Sequence, residues 1–164
     1  MSYLLDANVF MSANNLHYGL DFCPAFWDWL VHKGNTGSVL SIDKVADEIQ
    51  AGQDTLSDWA KNHGQMLFRR TPPTLAPQFT EVSTWATGQQ FTPAAINTFL
   101  QAADFYLIAH ALAANHVVVT HERYADSKAI IKIPNACIGL DVRFMTPYQM
   151  LRTEQARFVL GAHR

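Results

Sequence analysis

Asp6, Glu48, Asp104 and Glu122 stand where folding would carry carboxylates toward apolar surroundings. Asp104 shares a helical face with Leu107, Ile108 and Ala111, which follow it by three, four and seven residues. A carboxylate turned toward a core needs hydrogen-bond partners or a cation, because burying it alone is prohibitively costly. Glu122 ends the next apolar run. A helix of roughly twelve residues rises about 18 Å, and a strand packed antiparallel to it returns at about 3.3 Å per residue, so Glu122 comes back toward the helix start. Asp6 closes the first apolar run, Tyr3-Leu4-Leu5, and Glu48 flanks the buried stripe of another amphipathic segment. Taken alone, Asp6 reads more readily as a turn or N-cap residue, and Glu48 as a solvated acid at a helix edge. Together, four carboxylates in one crevice would repel one another, and several hard oxygen donors at close range are what Mg²⁺ or Mn²⁺ requires. Such an ion orients a water, lowers its pKa and stabilises charge on a phosphodiester. The candidate chemistry is therefore metal-assisted phosphoryl hydrolysis.

The positioning elements can be followed along the chain. Tyr3-Leu4-Leu5 reads as a strand with Asp6 at its C-terminal end, the place where open α/β sheets bind ligands. In residues 24–32, Phe26, Trp27, Leu30 and Val31 recur at helical spacing, with Pro24 suited to the first turn and Gly34 just beyond the end. Ser41 is an N-cap candidate for a helix whose buried stripe is Ile42, Val45 and Ile49 and whose stop is Gly52. Glu48 reaches inward at the rim of that stripe, whereas Asp47 points to solvent. Residues 53–100 are less legible: Leu56 and Trp59 suggest a helix, Met66-Leu67-Phe68 a short strand, and Pro72, Pro73 and Pro77 a loop. Phe79, Val82 and Trp85 indicate a helix over 78–86, and Thr92-Pro93 an N-cap opening a helix through Phe99. A helix follows from Ala103, then Val117-Val118-Val119 as a fully buried strand. Beyond Glu122 come a polar segment with Arg123, Asp126, Lys128 and Lys132, an extended connection over 132–138, an edge strand over 142–145, and a last helix from Thr146-Pro147 through Leu160. Strands alternating with helices imply an α/β fold with a mainly parallel sheet covered on both sides.

Composition sets the outer bounds. The 164 residues suit one domain spanning 1–164, and 49% hydrophobic against 16% charged residues favours a compact core over disorder. A net charge of −2 supplies no global basic field, but residues 1–122 hold five Lys/Arg against eleven Asp/Glu, and residues 123–164 seven against three. The last quarter is thus a candidate phosphate-facing region, or a solvated charged surface. Cys23 and Cys137 form no metal or disulfide pattern, which suggests reduced thiols and a cytoplasmic protein. The N-terminus has no basic and apolar signal regions, and no window reaches the roughly twenty apolar residues of a membrane span.

The segments LLDAN (4–8), VADEI (45–49), AADFYLIAHA (102–111) and VVVTHE (117–122) resemble, in order and spacing, those of the PIN-domain nucleases. The resemblance covers most of the chain except its middle. It implies a three-layer α/β/α fold with a central, mainly parallel sheet and Mg²⁺- or Mn²⁺-dependent cleavage of single-stranded RNA, many small bacterial members being toxins of toxin–antitoxin pairs. It matches Asp6 and Asp104 to metal-binding acids, Glu48 to the helix acid, Asn8 to a polar orienting residue and Thr120 to the Ser/Thr ending the fourth strand. Where many members read T-x-D with a further acid a few residues on, this chain reads Thr120-His121-Glu122 and then Asp126. Glu is one methylene longer and can still ligate, so Glu122 completes the metal set with Asp6 and Asp104. Lys128 and Lys132 are candidates to meet substrate phosphates, and each taken alone reads more readily as a surface lysine.

Other chemistries fit less well. His110, His116 and His121 are close in sequence, but HExxH is absent, and no GxGxxG or GxxxxGK[ST] occurs. A response-receiver domain would want paired acids at the first strand's end. The competitor from another class is a catalytically silent PIN-like module that binds protein or nucleic acid, disfavoured because all four acids are present. The aromatic helix at 24–32 and the arginines at 152, 157 and 164 offer surface for an antitoxin protein or for a second copy in a homodimer.

Overall fold

The computed structural model describes residues 2–161, so Arg164 lies outside the described residues. Strand β1 (Tyr3–Leu5) is buried throughout and pairs in parallel with β2 (Val39–Ile42) on one side and β4 (Val117–Val119) on the other. The two-residue strands β3 (Phe68–Arg69) and β5 (Phe144–Met145) extend the sheet beyond β2 and β4. The order is β3-β2-β1-β4-β5, all parallel. YLL, VLSI and VVV can occupy the centre because their residues are buried on both faces, as parallel strands between helical layers must be. Helices flank the sheet, giving the expected three-layer α/β/α arrangement.

Helix α1 (Ala7–Ser12) leaves β1 directly and runs into a π turn, Ala13–His17. Helix α2 (Pro24–Thr36) passes the end expected at Gly34, which lies inside it, buried and facing Leu67. The stop is Gly37, whose φ of 77° is a left-handed cap that glycine adopts without a Cβ clash.

Ser41 does not cap a helix. It lies within β2, fully buried, and its hydroxyl donates to the Leu5 carbonyl at 2.7 Å, because a buried hydroxyl in a central strand must find an acceptor. Helix α3 (Asp43–Gln50) begins two residues later, so Ile42 packs from the strand rather than the helix. Ser41→Ala should lower stability by about 1 kcal/mol, the net worth of one buried hydrogen bond, read as a lower urea midpoint at constant slope.

The middle segment forms α4 (Thr55–His63), capped by the Asp54 carboxylate, and α5 (Ala76–Thr87), preceded by a tight turn at Pro73–Leu75. Pro73 and Pro77 therefore open turns of helix rather than mark loop alone. Helix α6 (Pro93–Gln101) carries the expected Thr92 cap, which accepts from Ala95 N at 3.1 Å. Ala102, in extended conformation, separates α6 from α7 (Ala103–Ala114), and α7 stops at Asn115 with φ 54°.

Two late expectations are corrected. Residues Ile133–Gly139 form a helix, α8, rather than an extended connection; Pro134 sits in its first turn and a distant carboxylate satisfies its first amide. Helix α9 (Pro147–Thr153) opens with a Thr146–Gln149 capping box but ends well before Leu160. Gln155 turns the chain at φ 54°, and Phe158 then lies against Tyr18, Phe26 and Trp29. Val159 and Leu160, which suggested helix, are exposed. Among the described residues no helix is long and apolar enough to cross a membrane.

Candidate active site

The sheet order reverses direction between β1 and β4, which places a crevice outside the carboxyl ends of those two strands. Asp6 leaves β1 there and does two things. Its backbone amide donates to Val119 O at 2.9 Å, continuing the sheet, and its Oδ1 accepts from Ala7 N at 2.7 Å, capping α1. Being an N-cap does not remove it from the crevice, because Asp6 is also one of the residues lining it. Its other oxygen, Oδ2, accepts from the Thr120 hydroxyl at 3.0 Å. Thr120 Oγ1 in turn accepts from Glu122 N at 3.0 Å and from Asn8 Nδ2 at 3.4 Å, while Asn8 Oδ1 accepts from His121 N at 3.2 Å. Thr120 and Asn8 thus tie the ends of β1 and β4 together beneath the crevice. Thr120→Val should destabilise by about 1–3 kcal/mol and raise the Asp6 pKa further, since the hydroxyl is a donor to the ionised form. Denaturant unfolding and a carboxyl-carbon NMR titration would read the two effects.

Asp104 enters from the first turn of α7, Glu48 from α3 and Glu122 from just beyond β4, and all three line the same crevice of about 540 Å³. Burial pushes Asp6 up to about 8, and the charges of Asp104 and Glu122 add to the rise. Asp104 is pushed up to about 7, by burial first and then by Glu122 and Glu48, with Lys132 pulling the other way. Partial burial also raises Glu48, which stays at the exposed rim as expected. One Glu122 oxygen, Oε2, accepts from Ile133 N at 2.9 Å and caps α8.

Not every expected residue arrives. Lys132 lies in an adjoining recess that shares Asp104 and Glu122 with the crevice. Lys128 is elsewhere: its ammonium donates to Gln89 O at 2.9 Å and lies 5.1 Å from the centre of the Phe91 ring. Asp126 lines that separate recess with Lys128. The histidines also part company, His110 meeting Thr71 Oγ1 at 3.1 Å and His121 packing with His17 and Tyr148. Sequence reasoning missed Lys44 and Tyr106, which share a crevice wall with the Lys44 ammonium 5.0 Å from the Tyr106 ring centre. The available signal was Lys44 four residues before Glu48, hence on the same face of α3.

The donor chemistry suits a hard divalent cation. Carboxylates whose pKa values are raised by burial and by one another are relieved by a positive ion, and oxygen donors match Mg²⁺ and Mn²⁺. Among the described residues, no three Asp, Glu, His or Cys side chains stand close enough to form a metal-binding group. A Mg²⁺ ion held by one or two carboxylates completes its shell with water and substrate oxygens, so a closed protein cage is not required.

The fold recurs in solved structures. The chain is similar to one in VapBC2 from Rickettsia felis bound to a DNA fragment from their promoter, with TM-score 0.57 and 14% identity over 89% of this chain and 98% of that one. It is also similar to a chain of FitAB bound to an IR36 DNA fragment, with TM-score 0.54 and 16% identity over 99% of each chain. FitAcB from Neisseria gonorrhoeae gives 0.52 and 15%, covering 89% of this chain and 98% of that one. At these identities the likeness is one of fold. No curated protein matches the sequence. A family model described as a domain of unknown function, DUF4411, matches residues 3–158, and the chain belongs to that family.

Proposed function

We propose that this chain is a Mg²⁺- or Mn²⁺-dependent endoribonuclease that cleaves single-stranded RNA and acts as the toxin of a toxin–antitoxin pair. The observation that carries the reading is the meeting of Asp6, Glu48, Asp104 and Glu122 in one crevice at the β1/β4 switch point, with Asp6 and Asp104 raised by burial and by neighbouring acids. Carboxylates arranged against their own electrostatics are a mark of a functional site.

One or two of Asp6, Asp104 and Glu122 would hold the ion directly, with water completing its shell, and when bound it would supply a polarised water and charge stabilisation at the phosphodiester. Thr120 and Asn8 hold Asp6 in place. Glu48, at the rim with its pKa raised, accepts a proton from the attacking water or orients it. Lys132 meets a phosphate beside Asp104. Attack by water forms one P–O bond and breaks another, and the proton passes to the leaving oxygen.

The toxin role is supported by the resemblance of LLDAN, VADEI, AADFYLIAHA and VVVTHE to the PIN-domain nucleases and by the fold shared with chains of VapBC2 and FitAB, each seen bound to DNA, and it brings an antitoxin as partner. An RNA substrate puts the activity in the cytoplasm. Labelled single-stranded RNA incubated with purified protein and Mn²⁺ should be cut internally, and chelator should stop it; intact RNA at high protein concentration would overturn the reading.

A further inference from the structure

The acid crevice does not end at Asp104 and Glu122. A second recess, of about 290 Å³, opens from the same two side chains, so a ligand in one cavity touches the mouth of the other. It runs between α6 and residues 129–132. Its floor is apolar, with Phe99 and Ile131 buried, and Ile130 stands 44% exposed at its edge. Thr98, Lys132 and the two shared acids supply its polar groups. The recess is also pinned open. Thr92 N donates to Lys128 O at 2.8 Å, the Lys128 ammonium holds Gln89 O, and Glu122 fixes the other end of the segment through Ile133 N. Lys128, expected to meet phosphate, builds this wall instead.

Small-molecule sites start near about 300 Å³, are mostly apolar and carry a few placed polar groups. The recess has that character and room for one flat heterocycle with its sugar. Lys132, beside Asp104 at the boundary between the two cavities, is the cation on its lining.

We propose that this recess is a nucleoside subsite: the base of the nucleotide flanking the scissile phosphate lies on the Phe99–Ile131 floor, Thr98 bonds its edge, and Lys132 holds the phosphate. The inference rests on the nuclease reading and gives it a substrate requirement, an unpaired base at one fixed distance from the cut. A paired base could not enter.

Binding tests this without turnover. Fluorescence anisotropy would follow a short single-stranded RNA, with one abasic nucleotide moved through each position, on the Asp6→Asn protein in Mn²⁺. One abasic position should weaken binding roughly 5- to 100-fold, the range for losing one base contact. Thr98→Trp, on an exposed face of α6, should weaken the intact RNA similarly and abolish the difference between intact and abasic RNA. Equal affinity at every abasic position, or a Thr98→Trp protein that binds intact RNA unchanged, overturns the subsite. Cleavage of the same RNA by wild type separates the two ideas. Cutting with no positional effect leaves the nuclease standing and removes the subsite; a positional effect with no cutting keeps the subsite and removes the nuclease. No RNA binding together with no cutting by wild type removes both.

Discussion

Asp104→Asn and Asp6→Asn should each lower RNA cleavage by about 10²- to 10³-fold or more, the loss seen when one preorganised electrostatic group is removed from a phosphoryl or acyl transfer site. The substitution keeps shape and volume and removes only charge and metal affinity. At Asp6 the amide oxygen can still accept from Ala7 N, and the amide nitrogen can donate to Thr120 Oγ1 in place of the long 3.4 Å bond from Asn8 Nδ2, so the junction of β1 with α1 survives. At Asp104 the change removes a carboxylate repelled by Glu122 and Glu48. Activity should therefore collapse while the metal-free protein becomes no less stable, a combination that a structural role for these acids would not produce. Asp58→Asn, an exposed acid on α4, serves as the charge control and should leave cleavage unchanged. Single-turnover cleavage alongside urea unfolding checks all three variants.

The second large effect is on stability against pH. Asp6 and Asp104 have folded pKa values near 8 and 7 against an ordinary 3.8, so between those limits the folded chain holds protons that the unfolded chain releases. Their contribution is complete below the unfolded pKa and is lost as pH rises through the folded values. His110, His116 and His121 are held below their usual range by burial and act in the opposite sense at lower pH. The acid slope dominates between about pH 6.5 and 8, from the ordinary histidine pKa upward. Over that interval the metal-free protein should lose on the order of a few kcal/mol. Mn²⁺ should restore the loss at the upper end, because an ion that binds only the folded state stabilises it by mass action. In the Asp6→Asn, Asp104→Asn double variant the slope should flatten. Thermal unfolding in chelator and in Mn²⁺ across this range would show it.

The acids were legible because each sits at the end of an apolar pattern or on its face: Asp6 after YLL, Asp104 on the α7 stripe, Glu122 after VVV. Periodicity says which way a side chain turns, and the parallel sheet then brings strand ends together. Glu48 followed from α3 amphipathicity alone. Local pattern failed where tertiary contacts decide. Helix α8 begins with Ile133-Pro134, weak as a helix signal, and is capped by Glu122 from eleven residues upstream. Ser41 looks like a cap only until Leu5 supplies its acceptor across the sheet. The Lys44–Tyr106 wall depends on how α3 lies against α7. Lys128 carries the charge of a phosphate contact but is turned away by Gln89 and Phe91, from a segment whose pattern showed no organisation.

The most direct test of the metal-centred crevice is Mn²⁺ binding to metal-free wild type by calorimetry, in buffers of different ionisation enthalpy and from about pH 6 to 8, where Asp6 and Asp104 titrate. Binding should tighten as pH rises, release protons to the buffer, and be lost or strongly weakened in Asp104→Asn. Absence of binding by wild type at millimolar metal would contradict the metal centre and leave a catalytically silent PIN-like interaction module as the better description.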